Sequence, residues 1–272
     1  MTPEAPKVQD IFGRWPELVT LRGKVPDEVI AREVAEKEHE FVHWRTQATA
    51  LIPAVRLCDV LPGRVEIGRI TLHHFLGQWG NVRVEEIAKM ALIAKWLRPR
   101  AILEFGTYNG MTTLQLALNS PANCTVHTID LPPDAAEVSD LAIGEIDQFL
   151  AAKLGAFSFE VGHYFHGTPQ ESRIHQIWGD STRLDYSAYA GAVDMVFVDA
   201  GHTYEYVKSD TNNALQMVRP GGVVLWHDYL QVLYPGVTRV LAELSAHGYA
   251  ASHLRGTHLA IYRRPFSRRT RA

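Results

Sequence analysis

The sequence is poor in cysteine, with two in 272 residues. Cys58 and Cys124 lie far apart, and neither belongs to a CxxC pair or a Cys/His cluster of metal-ligand spacing. That excludes a disulfide framework and a cysteine-based zinc site, and it is the usage of a reducing compartment. Long apolar runs are also missing. Nothing approaches the roughly 20 residues that span a bilayer, and the opening MTPEAPKVQDIFGRW lacks a signal-peptide core. A cytoplasmic protein with no membrane partner is expected. Charge of one sign is scarce as well: 27 Lys and Arg against 30 Asp and Glu give a net charge of -3. Such a balance argues against a protein held to nucleic acid mainly by phosphate contacts. The last ten residues, RRPFSRRTRA, hold five arginines and read as a solvated basic tail over 265–272.

With 46% hydrophobic and 21% charged residues, the chain has the composition of a soluble globular protein. Residues 1–81 read as a helical extension, either a cap over a cleft or a dimerisation arm of a homo-oligomer. From Asp27 the run DEVIAREVAEKEHEFVHWRTQATALI is rich in helix formers, and RVEIGRI from Arg64 alternates like a short strand. Over 82–264 the rhythm is helix, strand, helix, strand. The strands are AILEF, TVHTID, IHQIW, VDMVFVD and GGVVLWHD, and helices such as MTTLQLAL and YEYVKSDTNNALQMV fit between them. Apolar strands alternating with helices predict a doubly wound, Rossmann-like α/β fold with a mostly parallel sheet. YAASHLRGTHLAIYRR reads as an antiparallel hairpin at its C-terminal edge. Residues 131–175 are long for a connection and read as a lid-like insertion containing the helix GEIDQFLAAKL. Trp79, Trp96, Trp178 and Trp226 read as core or pocket-wall residues, and the adjacent His73 and His74 as structural.

Ligands of open parallel sheets bind beyond the carboxyl ends of the strands, and each of those ends carries unusual residues here. The first strand ends in Glu104-Phe-Gly106-Thr107-Tyr108-Asn-Gly110, where the glycines permit a tight turn and close backbone approach. The second ends in Asp130, 24 residues after Gly106, a spacing at which a carboxylate can accept both hydroxyls of an adenosine ribose. Asp199 closes the fourth strand, with His202 three residues on, and His227-Asp228 close the fifth.

ILEFGTYNGMTT resembles the first motif of class I S-adenosylmethionine-dependent methyltransferases, and HTIDLP their ribose motif. WGDS resembles the motif beside the adenine. FVDAGHTYEYVKSD and VRPGGVVLWHDY resemble the fourth and fifth motifs of bacterial small-molecule O-methyltransferases. The resemblance implies S-adenosyl-L-methionine as cofactor. Glu104, Gly106, Thr107, Tyr108 and Gly110 would meet its amino-acid end, Asp130 its ribose, Asp180 and Ser181 its adenine, with Asp199 nearby. It also implies a divalent metal, magnesium or manganese, on Asp199, His227 and Asp228, and His202 as general base toward a hydroxyl of a small-molecule acceptor. The sequence departs from the family at Tyr108, where many such loops have a glycine, and at His227, where a carboxylate often stands. A nitrogen or RNA acceptor, or a catalytically weak cofactor-binding partner protein, are the alternative readings.

Overall fold

The computed structural model describes residues 8–23, 25–61, 69–74, 80–132, 141, 148 and 160–266. The expected strand from Arg64, the helix GEIDQFLAAKL, Trp79 and most of the basic tail lie outside them. An N-terminal arm comes first: α1 (Val8–Arg14), a 3-10 turn (Pro16–Leu21) and α2 (Asp27–Leu51). It leads through β1 (Ala54–Val55) and α3 (Leu57–Val60) toward α4 (Val84–Leu97). There follow β2 (Ala101–Phe105), α5 (Met111–Leu118), β3 (Thr125–Asp130), β4 (Ile174–Trp178), β5 (Val193–Val198) and α6 (Tyr204–Met217). The chain closes with β6 (Val218–Trp226), α7 (Pro235–Ala246), β7 (Ser252–Leu254) and β8 (Ala260–Arg263). No described helix is long and apolar enough to cross a membrane.

The described strands form one sheet in the order β1-β7-β8-β6-β5-β2-β3-β4. All neighbours are parallel except β8, which runs antiparallel to both β6 and β7. The doubly wound expectation therefore holds, with one difference at the edge. Ala54 and Val55 pair in parallel with His253 and Leu254, so the extension itself supplies the outermost strand beyond the hairpin. Two residues are too few for a period-2 pattern to show in sequence.

β5 is buried along its whole length, as a central parallel strand must be. One face of the sheet packs on α4 and α5 through Ile87, Met90, Leu114 and Phe197. The other packs on α6, α7 and the end of α2 through Phe105, Val196, Met217 and Leu241. Trp226 lies in this second core, whereas Trp178, at the end of edge strand β4, is 44% exposed and is no core residue. The winding reverses between β2 and β5. Gly106 is needed there: at φ +90 a Cβ would fall 2.1 Å from the Asp199 carbonyl oxygen.

The arm has a core of its own, made of Ile11, Leu18, Ile30, Val34 and Phe41 with Val232 and Leu233 from the segment after β6. It is thus fastened to the loop that follows Asp228. Phe41, 1% exposed, packs edge-on against Trp15 at 5.3 Å. Phe41→Ala should cost about 3–5 kcal/mol, the usual range for a buried aromatic. Urea unfolding should show this as one cooperative transition at a lower midpoint. A separate early transition would make the arm an independent unit.

Candidate functional site

Beneath the turn 106–110 lies Glu104, fully buried. Its Oε2 accepts from the hydroxyls of Thr113 and Thr128, while Oε1 has no hydrogen-bond partner among the described residues. Burial pushes its pKa up to about 8, so it is largely neutral at pH 7. The turn itself is held by Asp130. Oδ2 accepts the backbone N–H of Thr107 at 3.0 Å and of Tyr108 at 2.7 Å, and Oδ1 accepts that of Leu131 at 2.8 Å. A carboxylate has about four acceptor positions, so three are committed to the backbone. Asp130 shapes the turn before it can meet any ribose. Tyr108 sits at φ +51, the left-handed conformation that a glycine would take without strain. Gly110, expected at a cofactor, also meets the insertion: a Cβ there would lie 2.6 Å from the ring of Phe165. The end of the insertion docks on the turn, with Gly162 N–H on Tyr108 O and Tyr164 N–H on Asn109 O, both 2.9 Å.

At the end of β4, Asp180 is 3% exposed and Oδ1 accepts both the N–H and the hydroxyl of Thr182. Arg183 Nε stands 3.9 Å from Oδ2. Ser181 is 7% exposed, and its carbonyl accepts the Tyr186 hydroxyl at 2.8 Å. Behind them on α6 is Asp210, fully buried and absent from the sequence expectations. Burial and the nearby Asp180 charge push its pKa up to about 7, which Ser181 only partly offsets.

Four expected residues converge where β5 and β6 end. His202 Nε2 lies 2.8 Å from Asp228 Oδ2 and 3.9 Å from Asp199 Oδ1, and its ring stacks on Tyr234 with centroids 4.1 Å apart. His227 Nδ1 lies 3.1 Å from Asp199 and 3.2 Å from Asp228, and its Nε2 lies 3.1 Å from Glu86 Oε2. Glu86 is fully buried on α4 and also takes Arg83 and the His258 N–H at 2.6 Å. Burial opposes charge on His227, yet the Asp228 and Asp199 carboxylates outweigh it and hold the ring protonated well above the usual histidine range. For Asp228 burial is likewise outweighed, by His227 and His202, and its pKa is well below normal. Donor atoms of Asp199, His202 and Asp228 lie within 4.8 Å of one another, close enough to share one cation. His227, expected as a ligand, is not one of that trio; its Nδ1 faces Asp199 and Asp228 and its Nε2 faces Glu86.

Sequence reasoning missed Glu86 and Asp210, and both left the same signal. Each is an acid on the buried stripe of its helix: Glu86 with Met90 and Ile93, Asp210 with Val207, Ala214 and Met217. Asp210 gives a stability test. Its folded pKa of about 7 exceeds the ordinary 3.8, so the folded state holds the extra proton. Stability then falls as pH rises from about 4 to 7, by roughly 1.4 kcal/mol for each pH step, and stays lower above. Asp210→Asn should therefore be more stable than wild type at pH 8 and the gap should close at pH 4. Denaturation midpoints that track each other across this range would refute it.

Residues 103–229 match a family model described as a methyltransferase domain. No curated protein sequence matches the chain. Among solved structures, the O-methyltransferase TomG of Streptomyces achromogenes, involved in tomaymycin synthesis and solved with S-adenosylmethionine, is 22% identical. The match covers 68% of this chain and 82% of that one, with a TM-score of 0.44. An O-methyltransferase of Bacillus cereus in complex with S-adenosylhomocysteine is 15% identical over 69% and 84%, TM-score 0.45. Cofactor-bound Rv0187 of MTB is 18% identical over 98% and 100%, TM-score 0.46. At such distances these structures carry no residue-level argument. Over residues 103–229, which carry β2 to β6 of the mostly parallel sheet, the chain is thus similar to a methyltransferase domain.

Proposed function

We propose that the protein transfers the methyl group of S-adenosylmethionine to a hydroxyl of a small molecule, a sugar or another natural product, with His202 as general base. The observation that carries this reading is the His202–Asp228 pair, 2.8 Å apart at the strand ends beside the cofactor turn. The cofactor supplies an already activated methyl on its sulfonium, which leaves the protein positioning and proton removal. With Nε2–H directed at Asp228, the other ring nitrogen of His202, Nδ1, takes the hydroxyl proton, Asp228 orients the ring and stabilises the imidazolium formed, and Tyr234 fixes the ring plane. A built base favours oxygen over a free amine, which needs none. The chain's acidic balance speaks against RNA. Beside His202 a cavity of about 280 Å³ is lined by Tyr234 and Arg239 and walled by Lys37 and Glu40 of α2. We assign it to the acceptor, which makes the arm a cap.

The buried Oε1 of Glu104, an acceptor lacking a donor, fits the cofactor's amino group. The Asp199, His202 and Asp228 donor set also fits a divalent ion such as magnesium or manganese, which would lower the pKa of an acceptor hydroxyl. His202 cannot serve as ligand and base at once, and its test separates the two roles. His202→Ala should retain cofactor binding by calorimetry and lose about 10²–10⁴-fold in turnover, measured as S-adenosylhomocysteine formed with a metabolite extract. Wild-type turnover in this variant would exclude both roles. EDTA should leave wild-type turnover intact if the imidazole alone activates the hydroxyl. A loss restored by magnesium or manganese would assign activation to an ion.

Glu104 yields a second test. Before ligand binds, its pKa of about 8 keeps it mostly protonated at pH 7. An ammonium placed on it favours the carboxylate, so binding S-adenosylhomocysteine should release a proton, close to one per site. Calorimetry at pH 7 in buffers of different ionisation enthalpy measures this directly. Glu104→Gln should abolish the release. Binding with no proton released in wild type would remove Glu104 from the amino group.

A further inference from the structure

Residues 69–74 lie outside the matched domain, yet two buried amides are devoted to holding them. Asn119 and Gln115, at the end of α5 and within it, are each 1% exposed. Asn119 accepts the Thr71 N–H at 2.9 Å and donates to the Thr71 carbonyl at 2.8 Å. Gln115 does the same for His73, at 3.0 and 2.7 Å. The spacing is matched: four helical residues rise about 6 Å, and two extended residues span about 6.6 Å. Contact in this register runs from Asn119 back to Gln115, so the strap travels toward the start of α5, which opens directly from the turn 106–110. At that end the His74 ring comes within 6.1 Å of the Tyr164 ring, and Tyr164 is tied to Asn109 through its N–H. Tyr108 feels the Tyr164 phenol electrostatically. His74 itself is exposed and held at φ +52, a conformation that costs a non-glycine residue energy.

His74 and Tyr164, from two separate segments, thus meet beside the turn that carries Tyr108. The turn itself rests on Glu104 and Asp130, both acidic. The amino-acid end of S-adenosylmethionine carries an ammonium and a carboxylate, and the acids suit only the first. We propose that residues 69–74 form a clasp over the amino-acid end of the bound cofactor, with His74 as the side chain facing its α-carboxylate. The clasp rests on the S-adenosylmethionine reading above. It gives a reason for the paired amides: they fix an otherwise irregular segment in one register, as a binding group requires and plain covering does not.

The test compares S-adenosylhomocysteine with 5′-methylthioadenosine, which lacks the amino-acid end, by calorimetry on the full chain. His74 is exposed, so His74→Ala should fold normally. It should lose about tenfold or more in affinity for S-adenosylhomocysteine, the scale of one hydrogen bond to a charged group, and bind 5′-methylthioadenosine unchanged. Releasing the strap with Gln115→Leu and Asn119→Leu together should give the same selective loss. Unchanged affinity for S-adenosylhomocysteine in His74→Ala, or an equal loss for both ligands, would overturn the clasp alone. Wild-type protein that binds neither ligand would overturn the cofactor reading, and the clasp with it.

Discussion

One imidazole set among three carboxylates organises the carboxyl end of the sheet. His227 reaches Asp199 and Asp228 with Nδ1 and Glu86 with Nε2, each at about the same distance. Its positive charge is the counter-ion that lets three acids share a site with little water. Taking away one member of such a buried network leaves a charge unpaired, at roughly 3–5 kcal/mol. The network also joins elements distant in sequence. β5 and β6 meet in it directly, α4 enters through Glu86, and the turn before β8 is tied in by the His258 N–H on the same carboxylate. With both nitrogens of His227 engaged by acids, His202 is the imidazole that faces the cavity beside them.

The strand ends were legible in the sequence because central parallel strands are apolar runs, and a polar residue at the end of such a run is conspicuous. Glu104, Asp130, Asp199 and His227-Asp228 all stand out that way, and the sheet brings Asp199, His202, His227 and Asp228 together. What the side chains do there was not legible, since it depends on partners far along the chain. Glu86 meets His227 across 141 residues, and no local pattern reports that distance. Gly110 shows the same limit. Its need for glycine is real, and one neighbour that imposes it is Phe165, which the insertion delivers from 55 residues along the chain.

The arm is another case in which position outranks pattern. Its helix-forming composition announced α2 but not where the apolar stripe would go. That stripe closes on Val232 and Leu233, four and five residues after Asp228, and α2 runs along α7. Folding of the arm therefore restrains the very loop that carries the acid facing His202. Lys37 and Glu40 reach the cavity beside His202 as a consequence of the same docking.

Strain is concentrated on the two sides of the winding reversal. Tyr108 after β2 and Asp228 and Leu230 after β6 all adopt left-handed backbone, at φ of 51, 57 and 64. Each non-glycine residue of this kind costs about 1–2 kcal/mol. The cost is met locally in each place. Asp130 and Gly162 hold both backbone groups of Tyr108. Around Asp228, Tyr229 N–H bonds the His258 carbonyl, Leu230 N–H bonds the Thr238 hydroxyl, and Gln231 donates to Asp228 Oδ1 at 2.6 Å. With this left-handed turn the Asp228 carboxylate lies 2.8 Å from His202 Nε2 at the strand ends. Over-determined strain beside a cleft is a recognised mark of a functional site. Here it falls on Asp228, which faces His202, and on the turn 106–110, so the same hydrogen bonds that stabilise the fold also hold these two strained points in place.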